Sequence, residues 1–178
     1  KSDDEHMVAS IFKMFLRDLP EPVMPYNLFE LTVEATTKTS KQEIISALQD
    51  VLRQLPKENY RMITITCFLL HQITLHVEKN LMKPTNLAIV FGPVFCAAPP
   101  SDEVTKQKMV EKLPALSSAA EYMISDFSAI FNLKQGEDPL DDMLQTNNSM
   151  SGYINLAQGR QYGTLLLNDS LTQQQQVQ

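Results

Sequence analysis

The chain has 178 residues, 43% of them hydrophobic, with a formal net charge of −6 and an isoelectric point near 5.0. That is enough apolar text for one domain with a substantial core, and the acidic balance argues against a nucleic-acid binder, which needs a dense positive face to displace counterions from phosphates. Cys67 and Cys96 show no Cys-x-x-Cys spacing that would indicate a disulfide framework or a zinc site, and no apolar run approaches the roughly eighteen residues that cross a bilayer, so a cytoplasmic protein without a transmembrane segment is expected.

The first readable element is a helix in which Val8, Ile11, Phe12, Phe15, Leu16 and Leu19 recur at three- and four-residue steps and form one apolar stripe. Lys13 and Arg17, four apart, share an outward flank. Pro20 and Pro22 stop the helix, and a stiff connection runs through Pro25. Residues 27 to 37 predict a short helix capped by Asn27, with Leu28, Leu31 and Val33 inward. Ser40 and Glu43 have the spacing of a capping box ahead of Ile44, Ile45, Leu48, Val51, Leu52 and Leu55, and Pro56 is expected to end that helix. From 58 to about 79 apolar residues occupy nearly every direction around the axis, as in the middle of a bundle. Pro84 suits the first position of another helix, with Leu87, Val90 and Phe91 inward and Gly92-Pro93 expected to close it. A charged segment, 103 to 112, has little apolar periodicity. Leu116, Ala119, Ala120, Met123, Ile124, Phe127, Ile130 and Phe131 make the last amphipathic stripe. Residues 132 to 178 turn to Gly, Asn, Gln, Ser and Asp, a composition that buries too little apolar surface to offset ordering entropy, and are expected to be a largely disordered polar tail. Two apolar islands in it, 153–156 and 162–167, are compatible with a hairpin or with a strand lying in a groove. The fold class is all-α: a helical domain over 1–131 followed by the tail.

Two stretches resemble a known family. Lys13-Met14-Phe15-Leu16-Arg17-Asp18-Leu19-Pro20-Glu21-Pro22 is similar to the lysine-and-arginine helix of the Rho GTPase-activating (RhoGAP) domain. Asn80-Leu81-Met82-Lys83-Pro84-Thr85-Asn86-Leu87-Ala88-Ile89-Val90-Phe91-Gly92-Pro93 resembles that family's Asn-Lys-Met-x-x-x-Asn-Leu-Ala-x-Val-Phe-Gly-Pro segment, departing from it at Leu81, where lysine is more usual. The resemblance covers about 8–131. It implies a helical bundle that binds a GTP-loaded Rho-family small GTPase and raises its hydrolysis rate, with GTP and Mg²⁺ belonging to the partner and no cofactor of its own. The family's catalytic arginine sits in a loop well upstream of the first motif, so a truncated domain is expected here, weak or inactive alone and prone to self-association through bare apolar surface.

The resemblance assigns partner-binding roles to Lys13, Arg17, Asn80, Lys83, Asn86 and Pro93. Each has a plainer reading beside it. Two cations on a helix are most often a solvated face; Asn86 satisfies a helix start; Pro93 is accounted for as a helix stop; Lys83 adds only positive charge beside Asn86. For Arg17 the resemblance implies bracing of the arginine loop, a task that suits a planar fork of five donors. For Asn86 it implies a hydrogen bond to the GTPase switch region, which an amide makes without burying charge. Cys67 and His71, four apart, are read as core packing because zinc needs more ligands. No Gly-x-Ser-x-Gly, Walker loop or His-Glu-x-x-His occurs. The alternative function is a GTPase-binding or helical adaptor module without activating capacity.

Overall fold

The computed structural model describes residues 2–99 and 103–133, which form eight α-helices with no strand among them: α1 (Ser2–Arg17), α2 (Phe29–Ala35), α3 (Lys41–Leu52), α4 (Lys57–Thr74), α5 (Val77–Asn80), α6 (Pro84–Phe95), α7 (Glu103–Ser125) and α8 (Phe127–Ile130). The expected polar tail and its two apolar islands lie outside the described residues.

α3 follows its sequence closely. The Ser40 hydroxyl accepts from the Glu43 amide at 3.2 Å, and the Glu43 carboxylate accepts from the Ser40 amide at 3.0 Å, so two of the orphan donors at the helix start are satisfied reciprocally. All six apolar positions from Ile44 to Leu55 are buried. Pro56 does not close this helix; α3 ends at Leu52, and Pro56 instead caps the start of α4. Nor does Asn27 cap α2, which begins after a 3₁₀ turn at Tyr26–Leu28. That turn shifts the register, burying Phe29 and leaving Leu31 exposed.

The long apolar segment breaks in two. α4 ends at Thr74 and α5 follows, so Leu69 and Leu75 face outward while Ile63, Cys67 and Leu70 enter the core. Thr64 and Thr66 are buried without penalty because each hydroxyl donates to the carbonyl four residues back, at 2.7 and 2.8 Å. The charged segment from Glu103 is helical and continuous with the apolar stripe of α7, all of whose named positions are buried. The chain bends at Asp126, and α8 folds back so that Phe127 meets Phe68 at 5.7 Å and Phe131 at 4.9 Å.

α6 is the hub. It packs against α7 on one side and also touches α1 and α4. Gly92 and Pro93 do not end it; the helix runs on to Phe95. Glycine is needed here for a different reason: a Cβ on Gly92 would lie 2.7 Å from the Leu116 carbonyl oxygen of α7, so only glycine lets the two backbones meet. Pro93 deprives the Ile89 carbonyl of its helical donor, and residue 89 is on the exposed side. The proline-rich connection is then tied across the bundle: the Met24 amide donates to Phe95 O at 2.8 Å, and the Asn59 amide group donates to Val23 O at 2.8 Å.

The opening stripe corrects an expectation. Leu16 is buried and Phe12 and Leu19 are partly covered, but Val8, Ile11 and Phe15 are each more than half exposed, as is Met7. Only the last turns of α1 contribute to the core among the described residues.

Candidate functional site

Helical geometry divides α6 sharply. Leu87, Ala88, Phe91, Gly92 and Phe95 are buried and fall within one arc. Asn86, Ile89, Val90 and Pro93, spaced three and four apart, fall on the opposite arc at about 100° per residue. Of these Asn86, Ile89 and Val90 are exposed and Pro93 is half-buried, with Ile89 at 61%. The inward position expected for Val90 is therefore wrong: its neighbour Ala88 takes the inner face instead, because the axis turns Val90 toward solvent.

The corner that leads into this face is held by two asparagines. Asn80 Nδ2 donates to Ile73 O at 2.7 Å, and Asn80 Oδ1 accepts from the Met82 amide at 2.9 Å. Both halves of that amide are thus engaged in shaping the loop. Asn86 Nδ2 donates back to Leu81 O at 3.2 Å. Between them Leu81 adopts φ 57°, ψ 14°, the left-handed region that costs a side-chain-bearing residue about 1 kcal/mol or more. Met82 packs inward on the core, whereas Leu81 is 75% exposed. Lys83 is extended and exposed just before Pro84 opens α6, and the Thr85 hydroxyl donates to Glu121 at 2.8 Å, pinning this end of α6 to α7.

Lys13 and Arg17 lie on α1, which packs against α6. Both are exposed, and the Arg17 Nε–H donates to Asp18 at 2.9 Å, a surface pair that also raises the guanidinium pKa. None of the six residues singled out in the sequence is sealed in the core. Asn80, Lys83 and Asn86 share the corner, Pro93 lies two turns along the same face of α6, and the two cations occupy the neighbouring helix. Sequence reasoning missed Leu81, Ile89 and Val90 as surface groups. The signal for the last two was available in the spacing from Leu87, Ala88 and Phe91, which sets the inner arc and leaves 89 and 90 outside it.

Cys67, Cys96 and His71 serve packing. Burial pushes both thiols up, that of Cys96 to about 12 despite a hydrogen bond with Thr32, so neither is a thiolate nucleophile or ready metal ligand at neutral pH. His71 Nδ1 is 2.8 Å from Ile124 O, and its ring stacks on Phe127. These contacts fasten α4 to α7 and α8.

Comparison with known proteins bears on this arrangement. The family model described as the RhoGAP domain matches residues 1–100. The chain belongs to the RhoGAP family. It is 32% identical over 133 residues to mouse Rho GTPase-activating protein 15, covering 75% of this chain and 27% of that protein. It is 42% identical over 88 residues to human Rho GTPase-activating protein 1, covering 49% and 20% respectively. The crystal structure of human Rho GTPase activating protein 15 superposes with a TM-score of 0.65 at 34% identity, over 72% of this chain and 59% of that one. The chain thus spans about a quarter of the curated relatives' length, and its all-α RhoGAP fold agrees with the family expectation.

Proposed function

We propose that this RhoGAP-family chain docks a GTP-loaded Rho-family small GTPase on the outer face of α6 and the adjoining flank of α1, and contributes to activating the partner's GTP hydrolysis. The observation that carries this reading is the position of Asn86: it stands exposed in the first turn of a helix whose opposite arc is clamped to α7, with a row of outward apolar residues running from it to Pro93. Such a face offers an amide for a backbone segment of the partner and apolar area around it, which is the makeup of a moderately polar protein interface. Lys13, Arg17 and Lys83 supply local positive charge on a chain whose net charge is −6, and this assists approach to an acidic partner surface. Asn80 acts by holding the corner, since both ends of its amide are engaged there.

Acceleration of hydrolysis requires more than docking. An arginine placed on the transferring phosphoryl group is worth roughly 10³–10⁵ in rate, about 4–7 kcal/mol of barrier. Arg17, Arg53 and Arg61 each pair with a carboxylate close by in sequence. Such pairs near the surface hold weakly, but of these three arginines only Arg17 lies on either helix of the proposed docking face, so binding without strong activation is the second reading. Titrating the chain against a Rho-family GTPase loaded with GDP and aluminium fluoride, then measuring single-turnover GTP hydrolysis, separates the two. Saturable binding with weak acceleration is expected. Absence of binding to every member of a Rho-family panel overturns the docking face itself.

A further inference from the structure

We infer that Leu81 is a specificity-determining contact of this docking face, seating in an apolar depression on the partner GTPase; this rests on the docking reading above. Three observations converge on it. Leu81 is 75% exposed, the most exposed of the large apolar side chains among the described residues. It occupies a left-handed backbone conformation, which favours glycine or asparagine and gives leucine no folding advantage. And that conformation is imposed from both sides: Asn80 bonds to Ile73 and Met82, and Asn86 bonds to the Leu81 carbonyl itself at 3.2 Å.

The leucine is therefore neither packed in the fold nor loosely placed. With Met82 anchored inward and Asn86 holding its carbonyl, its backbone is fixed beside the very amide proposed to meet the partner. A backbone held in this way has little freedom left to lose on binding, which leaves only the leucine rotamer to be ordered and favours a pre-formed contact. Its chemistry selects the partner. An isobutyl group carries no charge to pair and no donor or acceptor to satisfy, so it favours a partner with an apolar seat at that point and disfavours one with a charged or polar surface there.

The test uses the full chain and three variants, Leu81→Gly, Leu81→Lys and Asn86→Ala, each titrated against a panel of Rho-family GTPases loaded with GDP and aluminium fluoride, with thermal melting in parallel. Leu81→Gly suits the backbone, so it melts at the parent's temperature or slightly above, yet binds the preferred GTPase about tenfold more weakly, equivalent to 1.4 kcal/mol. Leu81→Lys loses at least as much on that partner. Parent-like binding by Leu81→Gly, or equal or tighter binding by Leu81→Lys, overturns the inference alone while the docking reading stands on Asn86→Ala. Failure of the parent to bind any panel member overturns both.

Discussion

Replacing Gly92 with alanine probes the contact that sets the position of α6. The added Cβ would lie 2.7 Å from Leu116 O and 2.8 Å from Leu116 C, both backbone atoms of α7 with no rotamer to yield. Restoring an ordinary separation of about 3.4 Å means moving the helices apart by roughly 0.7 Å. Overpacking of this kind costs about 1–3 kcal/mol, and the rigid obstacle argues for the upper half. Alanine recovers about 1 kcal/mol through its better helix propensity and lower unfolded-state entropy. A net loss of about 1–2 kcal/mol remains, visible as a fall in Tm of roughly 3–10 °C by circular dichroism at 222 nm. Because α6 carries Asn86, partner affinity should fall as well. An alanine variant as stable as the parent would mean that α6 and α7 are not in backbone contact, and the explanation given for Gly92 would be wrong.

Other outcomes follow from the same geometry. Ser40→Ala removes the cap of α3 and should cost about 1 kcal/mol in chemical denaturation. The partner in that box, Glu43, has a carboxyl held below its ordinary value of 4.5 chiefly by its bond to the Ser40 backbone. A depressed folded-state pKa contributes stability above the unfolded value and loses it as pH falls through the folded one. Glu43→Gln should therefore flatten the loss of stability on acidification below about pH 4.5, and an unchanged pH profile would refute the linkage. Leu48→Ala, at a fully buried position between the helices, is expected to cost about 2–5 kcal/mol. Arg17→Glu loses a surface pair with Asp18 and a cation in the last turn of α1, so it should lower Tm by no more than a few degrees, while weakening GTPase binding in a salt-dependent way; parent-like binding at both low and high salt would remove Arg17 from the docking face.

How far the fold was legible depended on whether a signal was local. The capping box of α3 and the stripes of α3 and α7 were read correctly because each is a short-range pattern matched to one buried face. Gly92-Pro93 misled for the opposite reason. In sequence the pair punctuates, but its meaning here is a close approach to Leu116, which is 24 residues further on and invisible in local text. The opening stripe was legible as a pattern, yet the pattern alone could not say what covers it, and half of it, Val8, Ile11 and Phe15, is exposed. The site residues were named through the two motifs. What the motifs did not convey was that Asn80 is occupied by the loop, that Leu81 is held outward, and that Ile89 and Val90 complete the face.

The central claim is that Asn86 and its face of α6 receive the GTPase. Its most direct test is the affinity of the chain for a Rho-family GTPase in the GDP and aluminium fluoride state, compared between the parent and Asn86→Ala, with melting curves for both. The expected result is a Tm lowered by no more than a few degrees, since Asn86 is exposed and its side chain gives up the hydrogen bond to Leu81 O at 3.2 Å, together with a loss of affinity of tenfold or more, about 1.4 kcal/mol. Identical affinity in a variant that folds as the parent does would contradict it.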